Sequence, residues 1–165
     1  MARLVLVGLP GVGKSSIAQL VASSWACAAI DTDDLVAEKV GCKAAQYLRR
    51  EGVAAFRAAE LDALRRALES PAVVATGGGV VETPDARELL KSECTLWLDG
   101  DDDVLVDRLG DGDRPLLGVD ARQALAHLRQ ARVPFYREVA RQRVDATGPL
   151  EVVADRVRRA AELAQ

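Results

Sequence analysis

Apolar and polar residues follow two rhythms along this chain. Short apolar runs occur at residues 4–7, 28–30, 72–75, 95–98 and 143–146. Longer stretches with the period of an amphipathic helix separate them. Strands alternating with helices predict a parallel sheet covered on both faces, an α/β architecture. Thr83-Pro84 reads as the N-cap and first-turn proline of one helix, and Thr147-Gly148-Pro149 opens the last helix in the same way. No repeat, low-complexity tract or linker breaks the pattern, so residues 1–165 read as one domain.

Two connections exceed a plain crossover. Asp33 to Ser70 puts about 40 residues between the second and third strands, enough for two or three helices, with breaks near Gly41 and Gly52. Gly110 to Asp120 is polar and glycine-rich, carries Arg114, and precedes a long helix; it reads as a closing lid at about 110–120.

Directly after the first strand comes Gly8-Leu9-Pro10-Gly11-Val12-Gly13-Lys14-Ser15-Ser16. This is G-x-x-x-x-G-K-[ST] between a buried strand and a helix beginning near Lys14, the setting of a phosphate-binding loop. Its glycines let several N–H groups point at one anion, and the helix adds its positive end. Lys14 can reach the terminal phosphates of a nucleoside triphosphate, and the Ser15 hydroxyl can ligate Mg²⁺. A dinucleotide-binding turn is rejected, because Ser16 stands where its last glycine would fall.

Composition narrows the class. With 49% apolar residues, the chain can build a real core; a net charge of −3 gives no basic surplus for nucleic acid, and no 18-residue apolar run suggests a membrane span. Met1-Ala2-Arg3 leads straight into the first strand, so no signal peptide is expected. Cys27, Cys42 and Cys94 are odd in number and far apart, which fits reduced thiols in a cytoplasmic protein. The sole histidine, His127, reads as solvent-facing.

Asp31-Thr32-Asp33 falls at the carboxyl end of the second strand, the edge where ligands bind in such sheets. If strand geometry persists, the two carboxylates point differently. Asp31 can then hold Mg²⁺ through water while Asp33 orients and deprotonates an acceptor hydroxyl. The competing reading is that these acids cap the next helix, with Asp34 left to a capping or solvent role. Thr76-Gly77-Gly78-Gly79 ends the third strand and offers bare N–H groups to a carboxylate or hydroxyl. Arg57 and Glu60 form an i,i+3 pair. Arg57 and Arg132, converging from distant segments, suit an anionic substrate, while Arg108 and Arg114 flank the lid and suit the nucleotide and transferring phosphate.

Together these motifs resemble the shikimate kinase family, within the nucleoside-monophosphate-kinase-like P-loop proteins. The resemblance runs from Leu4 to about Val157. It rests on the loop from Gly8 to Ser16, Asp31-Thr32-Asp33, Gly52 through Phe56-Arg57-Ala58-Ala59-Glu60, Thr76-Gly77-Gly78-Gly79, Arg114-Pro115-Leu116-Leu117, and Arg132 with Pro134 and Tyr136. It implies a three-layer P-loop kinase fold with a five-stranded parallel sheet in 2-3-1-4-5 order, a helical substrate-binding region at about 32–60, and a lid. It further implies a monomer that moves the γ-phosphate of ATP to the 3-hydroxyl of shikimate, in aromatic amino-acid biosynthesis. Asp33, Arg57, Glu60, Gly77, Gly78, Gly79 and Arg132 would hold shikimate. Gly11, Val12, Gly13, Lys14, Ser15, Ser16, Arg108 and Arg114 would hold ATP. Lys14, Asp33 and Arg114 would be catalytic, and Ser15 with Asp31, through water, would serve Mg²⁺. The chain departs from the usual family pattern at Val53, Leu48 and Ser16, and its lid segment is about one residue short.

Two alternatives stay open: a kinase of a related hydroxy acid or cyclitol, such as a gluconate-type kinase, and a catalytically silent nucleotide-binding module. The second would predict loss of Lys14, Asp33 or Arg114, and all three are present. A GTP switch needs an Asn-Lys-x-Asp guanine reader, and the chain contains no asparagine.

Overall fold

A computed structural model describes residues 1–110 and 120–164, apart from the side chains of residues 109 and 110. The elements run β1 (Leu4–Val7), α1 (Lys14–Ser24), β2 (Ala29–Asp31), α2 (Thr32–Val40), α3 (Ala44–Leu68), β3 (Val73–Ala75), a 3₁₀ turn (Val80–Glu82), α4 (Pro84–Ser92), β4 (Thr95–Asp99), α5 (Asp102–Gly110), α6 (Ala121–Val139), β5 (Gln142–Asp145) and α7 (Leu150–Leu163). The strands form one parallel sheet in the order β2-β3-β1-β4-β5. Helices α1 and α7 pack together as one layer, and α3, α4 and α6 supply the other.

Burial explains the sequence of each strand. All four residues of the central strand β1 are fully buried, which is why it reads Leu-Val-Leu-Val without a polar break. The edge strand β5 buries only Val144 and is otherwise polar. The strand register places Asp31 beside Ala75 and Asp99 beside Asp145, so the carboxyl ends of the strands line one rim.

Glycines punctuate the helices between β2 and β3 as expected. Gly41 closes α2 in the left-handed conformation (φ 73°), and Gly52 interrupts α3 with φ 86° and ψ 174°. Beyond Gly52, Phe56, Ala59 and Ala63 join Val36 in a small second core. This packing fixes the rotation of α3 and leaves Arg57 and Glu60 on the flank facing the sheet rim.

Several sequence expectations need correction. Strand β2 begins one residue later than expected and β5 one residue earlier. Strand geometry does not persist past Asp31: α2 begins at Thr32, so Asp33 lies in a helical first turn. The cap belongs to Asp31, and Asp34 is exposed, the solvent role of its two expected ones. Thr83 and Pro84 open α4, though without a side-chain capping bond. Thr147 does not cap α7; Pro149 holds the N-cap position, and the Thr147 hydroxyl bonds the Asp145 carboxylate instead. His127 is exposed and the three cysteines are unpaired. Among the described residues, no helix is long and apolar enough to cross a membrane.

Candidate active site

The loop between β1 and α1 wraps back on the sheet. Gly8 sits at φ 152°, and a side chain there would run into the Leu98 carbonyl. Gly13 is the left-handed N-cap of α1 (φ 100°), which turns the chain directly into the helix at Lys14. Lys14 is buried, and its ammonium donates to the carbonyls of Gly8 (2.8 Å) and Leu9 (3.0 Å). From beneath, the Arg108 guanidinium donates to the Gly11 carbonyl at 2.6 Å, tying α5 to the loop. Ser16 is exposed and lines the cleft, whereas the Val12 side chain is buried toward Gly100.

Asp31 serves both neighbours at once. One carboxylate oxygen accepts from the Asp33 N–H at 2.9 Å and caps α2, while the other accepts from the Ser15 hydroxyl. Asp31 thus caps α2 with one oxygen and keeps the other against Ser15, at the edge of the cleft. A hydroxyl beside a carboxylate is a hard-oxygen pair of the kind Mg²⁺ takes, with phosphates and water completing its shell. Among the described residues there is no cluster of three or more His, Cys, Asp or Glu side chains placed to hold a metal ion.

A cluster of charged side chains lies elsewhere in the cleft. Arg57 donates to Glu60 at 2.7 Å and to Glu82 at 2.5 Å, and Arg132 donates to the other oxygen of Glu82 at 2.9 Å. Glu60 is 1% exposed. Burial pushes its carboxyl above the usual range, against the pull of Arg57. For Glu82 the balance reverses: burial raises it, but Arg132 and Arg57 together hold it below the usual range. Burial also opposes the charge on Arg57, yet Glu60 and Glu82 outweigh it and keep the guanidinium charged.

The three glycines after β3 let neighbouring groups approach the backbone closely. A Cβ on Gly77 would lie 2.5 Å from Glu60 Oε1 and 3.0 Å from Asp33 Oδ1. On Gly78 it would lie 2.9 Å from Pro10 Cδ, and on Gly79 it would strike the Arg57 guanidinium. The Gly77 N–H donates to the buried Thr32 hydroxyl at 3.1 Å, locking the glycine turn to α2.

Lys14, Ser15, Asp31, Asp33, Arg57, Glu60, Gly77, Gly78, Gly79, Arg108 and Arg132 thus line one open cleft of about 550 Å³. A second cavity of about 250 Å³, bounded by Val12, Gly100, Leu105, Thr147 and Gly148, meets it at Arg108. Arg114 and most of the expected lid lie outside the described residues. Sequence reasoning missed Glu82, and it assigned no role to Tyr136, whose hydroxyl donates to the Gly78 carbonyl at 2.6 Å. It also missed Arg129, which donates to Asp99 and the Gly100 carbonyl, both at 3.0 Å, and so anchors α6 one turn before Arg132.

A phosphate loop at the rim of a 2-3-1-4-5 parallel sheet, opening onto a cleft lined by Arg57, Glu60 and Arg132, defines a P-loop kinase of small molecules. The comparisons narrow this class. The shikimate kinase family model matches residues 10–162. A shikimate kinase of Rhodococcus jostii is 39% identical, over 97% of this chain and 98% of its own length. One from Streptomyces avermitilis is 42% identical, over 91% and 90%. The structure of shikimate kinase from Acinetobacter baumannii in complex with shikimate superimposes with a TM-score of 0.88 at 29% identity, covering 97% of this chain and 90% of that one. The chain belongs to the shikimate kinase family.

Proposed function

We propose that this chain transfers the γ-phosphate of ATP to the 3-hydroxyl of shikimate. The observation carrying the reading is the convergence of Arg57 and Arg132 beside Asp33, across one cleft from Lys14. Two guanidiniums suit a carboxylate, and a neighbouring aspartate suits a hydroxyl.

The loop amides and the amino end of α1 cradle the phosphates. Lys14 exchanges its two carbonyl partners for the transferring phosphate and offsets the charge that spreads over it. Asp33 accepts a hydrogen bond from the acceptor hydroxyl, aligns it and takes its proton. Arg57, Arg132 and the N–H groups of the glycine turn fix the acceptor's carboxylate, with Glu60 holding Arg57 in place. Arg108 borders the cavity between α5 and the β5–α7 connection, which suits the nucleotide base. Ser15 directly and Asp31 through water would hold Mg²⁺, which when bound neutralises phosphate charge. Arg114 is the expected further partner of the transferring phosphate. The enzyme acts as a cytoplasmic monomer, needing neither nucleic acid nor membrane.

A coupled assay with Mg-ATP and shikimate, quinate or gluconate tests this reading. Shikimate is expected to give a kcat/KM at least tenfold above the others. A preference for gluconate would move the assignment to the gluconate-type alternative, and no turnover with any acceptor would leave a nucleotide-binding module.

A further inference from the structure

Two guanidiniums, Arg57 and Arg132, are already held by two carboxylates, Glu60 and Glu82. A substrate carboxylate bound by the same guanidiniums would come up against these acids, and like charges at such spacing cost affinity. One acid must yield its place. Glu60 cannot, because it is buried beneath Gly77 and bound to Arg57. Asp33 is fixed in the first turn of α2, beside the same glycine.

Glu82 differs from both. It ends the short 3₁₀ turn, and its side chain is 34% exposed, so it can swing into water without opening the core. Its two oxygens bridge Arg57 and Arg132, at 2.5 and 2.9 Å. That is the contact a bound carboxylate would make with a guanidinium pair. We propose that Glu82 is a built-in stand-in for the substrate carboxylate. It neutralises and orients the arginines while the pocket is empty, and gives way when the acceptor enters. Glu82 thereby sets acceptor affinity and favours ligands whose carboxylate outcompetes it. This rests on the proposed acceptor being a carboxylate.

Glu82→Gln tests the inference. The change is isosteric and half-exposed, so the fold is retained. The KM for shikimate should fall at least threefold, with the effect carried by KM rather than kcat and with little change in the KM for ATP. In thermal unfolding without ligand, the variant should melt below wild type, because two guanidiniums lose their counter-charge. Saturating shikimate should then raise its melting temperature more than it raises that of wild type. Glu82→Asp, which keeps the charge, should return affinity toward the wild-type value. A raised or unchanged KM in Glu82→Gln would overturn the proposal and make Glu82 a mere strut for the arginines. Equal behaviour of the Asp and Gln variants would overturn it too. Calorimetric titration with benzoate, a ring carboxylate lacking hydroxyls, separates this from the functional reading. If wild type fails to phosphorylate shikimate, the assigned reaction is wrong, yet tighter benzoate binding by Glu82→Gln would still uphold the stand-in. Unchanged benzoate binding would sink it.

Discussion

Tyr136 donates its hydroxyl to the carbonyl of Gly78 at 2.6 Å, across the face that joins α6 to the glycine turn. Its ring is fully buried and stacks on Trp97, with centroids 6.0 Å apart. Burial pushes the phenol far above its ordinary range, so the hydroxyl remains a donor at any working pH. The bond couples the helix that carries Arg132 to the amides expected to meet the acceptor. Tyr136→Phe keeps the ring but leaves the carbonyl without its donor, a loss of about 1–3 kcal/mol. Urea denaturation should show that loss, and the KM for shikimate should rise severalfold while the KM for ATP stays near wild type. A stability loss with both KM values unchanged would confine the bond to packing.

Arg57 is the charged partner of a buried acid, so its loss should be felt in stability as well as binding. Removing one member of a buried pair typically costs about 3–5 kcal/mol; Arg57 is itself 20% exposed, so the low end is expected. The pH dependence follows from Glu60. Burial holds its native carboxyl above the unfolded value, so the native state binds the proton more readily than the unfolded chain. The associated stability is full below the ordinary carboxylate range and is lost as pH rises through the native value. Arg57→Ala removes the main opposing pull and raises that native value further. The stability gap between Arg57→Ala and wild type should therefore widen as pH rises from acid toward neutral. Adding Glu60→Gln should flatten this widening, which denaturation across a pH series would reveal.

The parts of this molecule that were legible from sequence are those governed by local rules. Gly41 and Gly52 break the helical segment because both backbones need positive φ. The loop from Gly8 to Ser16 is contiguous, and Arg57 and Glu60 meet at a spacing of three. Glu82 obeys no such rule: its partners are 25 and 50 residues away, and only the glycine turn and the docking of α6 bring them together. The backbone at Asp31-Thr32-Asp33 departs from its sequence expectation for a different reason. Strand geometry stops at Asp31, two residues short of Asp33, because the Asp31 side chain itself starts the helix by accepting from the Asp33 N–H.

Lys14 is expected to matter for chemistry more than for folding. Its ammonium rests on the Gly8 and Leu9 carbonyls, in the lining of the cleft and within the loop that would hold the phosphates. Preorganised charge at a transferring group is worth roughly 3–4 kcal/mol. Lys14→Ala should therefore lower kcat on the order of 10²–10³-fold, with the circular-dichroism spectrum retained. Turnover above about a tenth of wild type, a difference under 1.4 kcal/mol, would remove Lys14 from the catalytic role.

Asp31 and Asp33 should separate metal handling from acceptor chemistry. Asp31 accepts from the Ser15 hydroxyl, whereas Asp33 lies toward Gly77 and the acceptor pocket. Asp33→Asn keeps the size but removes the charge and the basicity, so kcat should drop by about 10²-fold with ATP affinity nearly unchanged. Asp31→Asn should instead shift the Mg²⁺ requirement of turnover to higher concentration. It retains an oxygen able to accept from the Asp33 N–H, so α2 should keep most of its cap. A Mg²⁺ titration of turnover for both variants makes the comparison. Exchanged phenotypes would mean that the two carboxylates have been assigned to the wrong sides of the cleft. If neither variant lost activity, capping of α2 would be the whole role of Asp31, and the acceptor hydroxyl would find its base elsewhere.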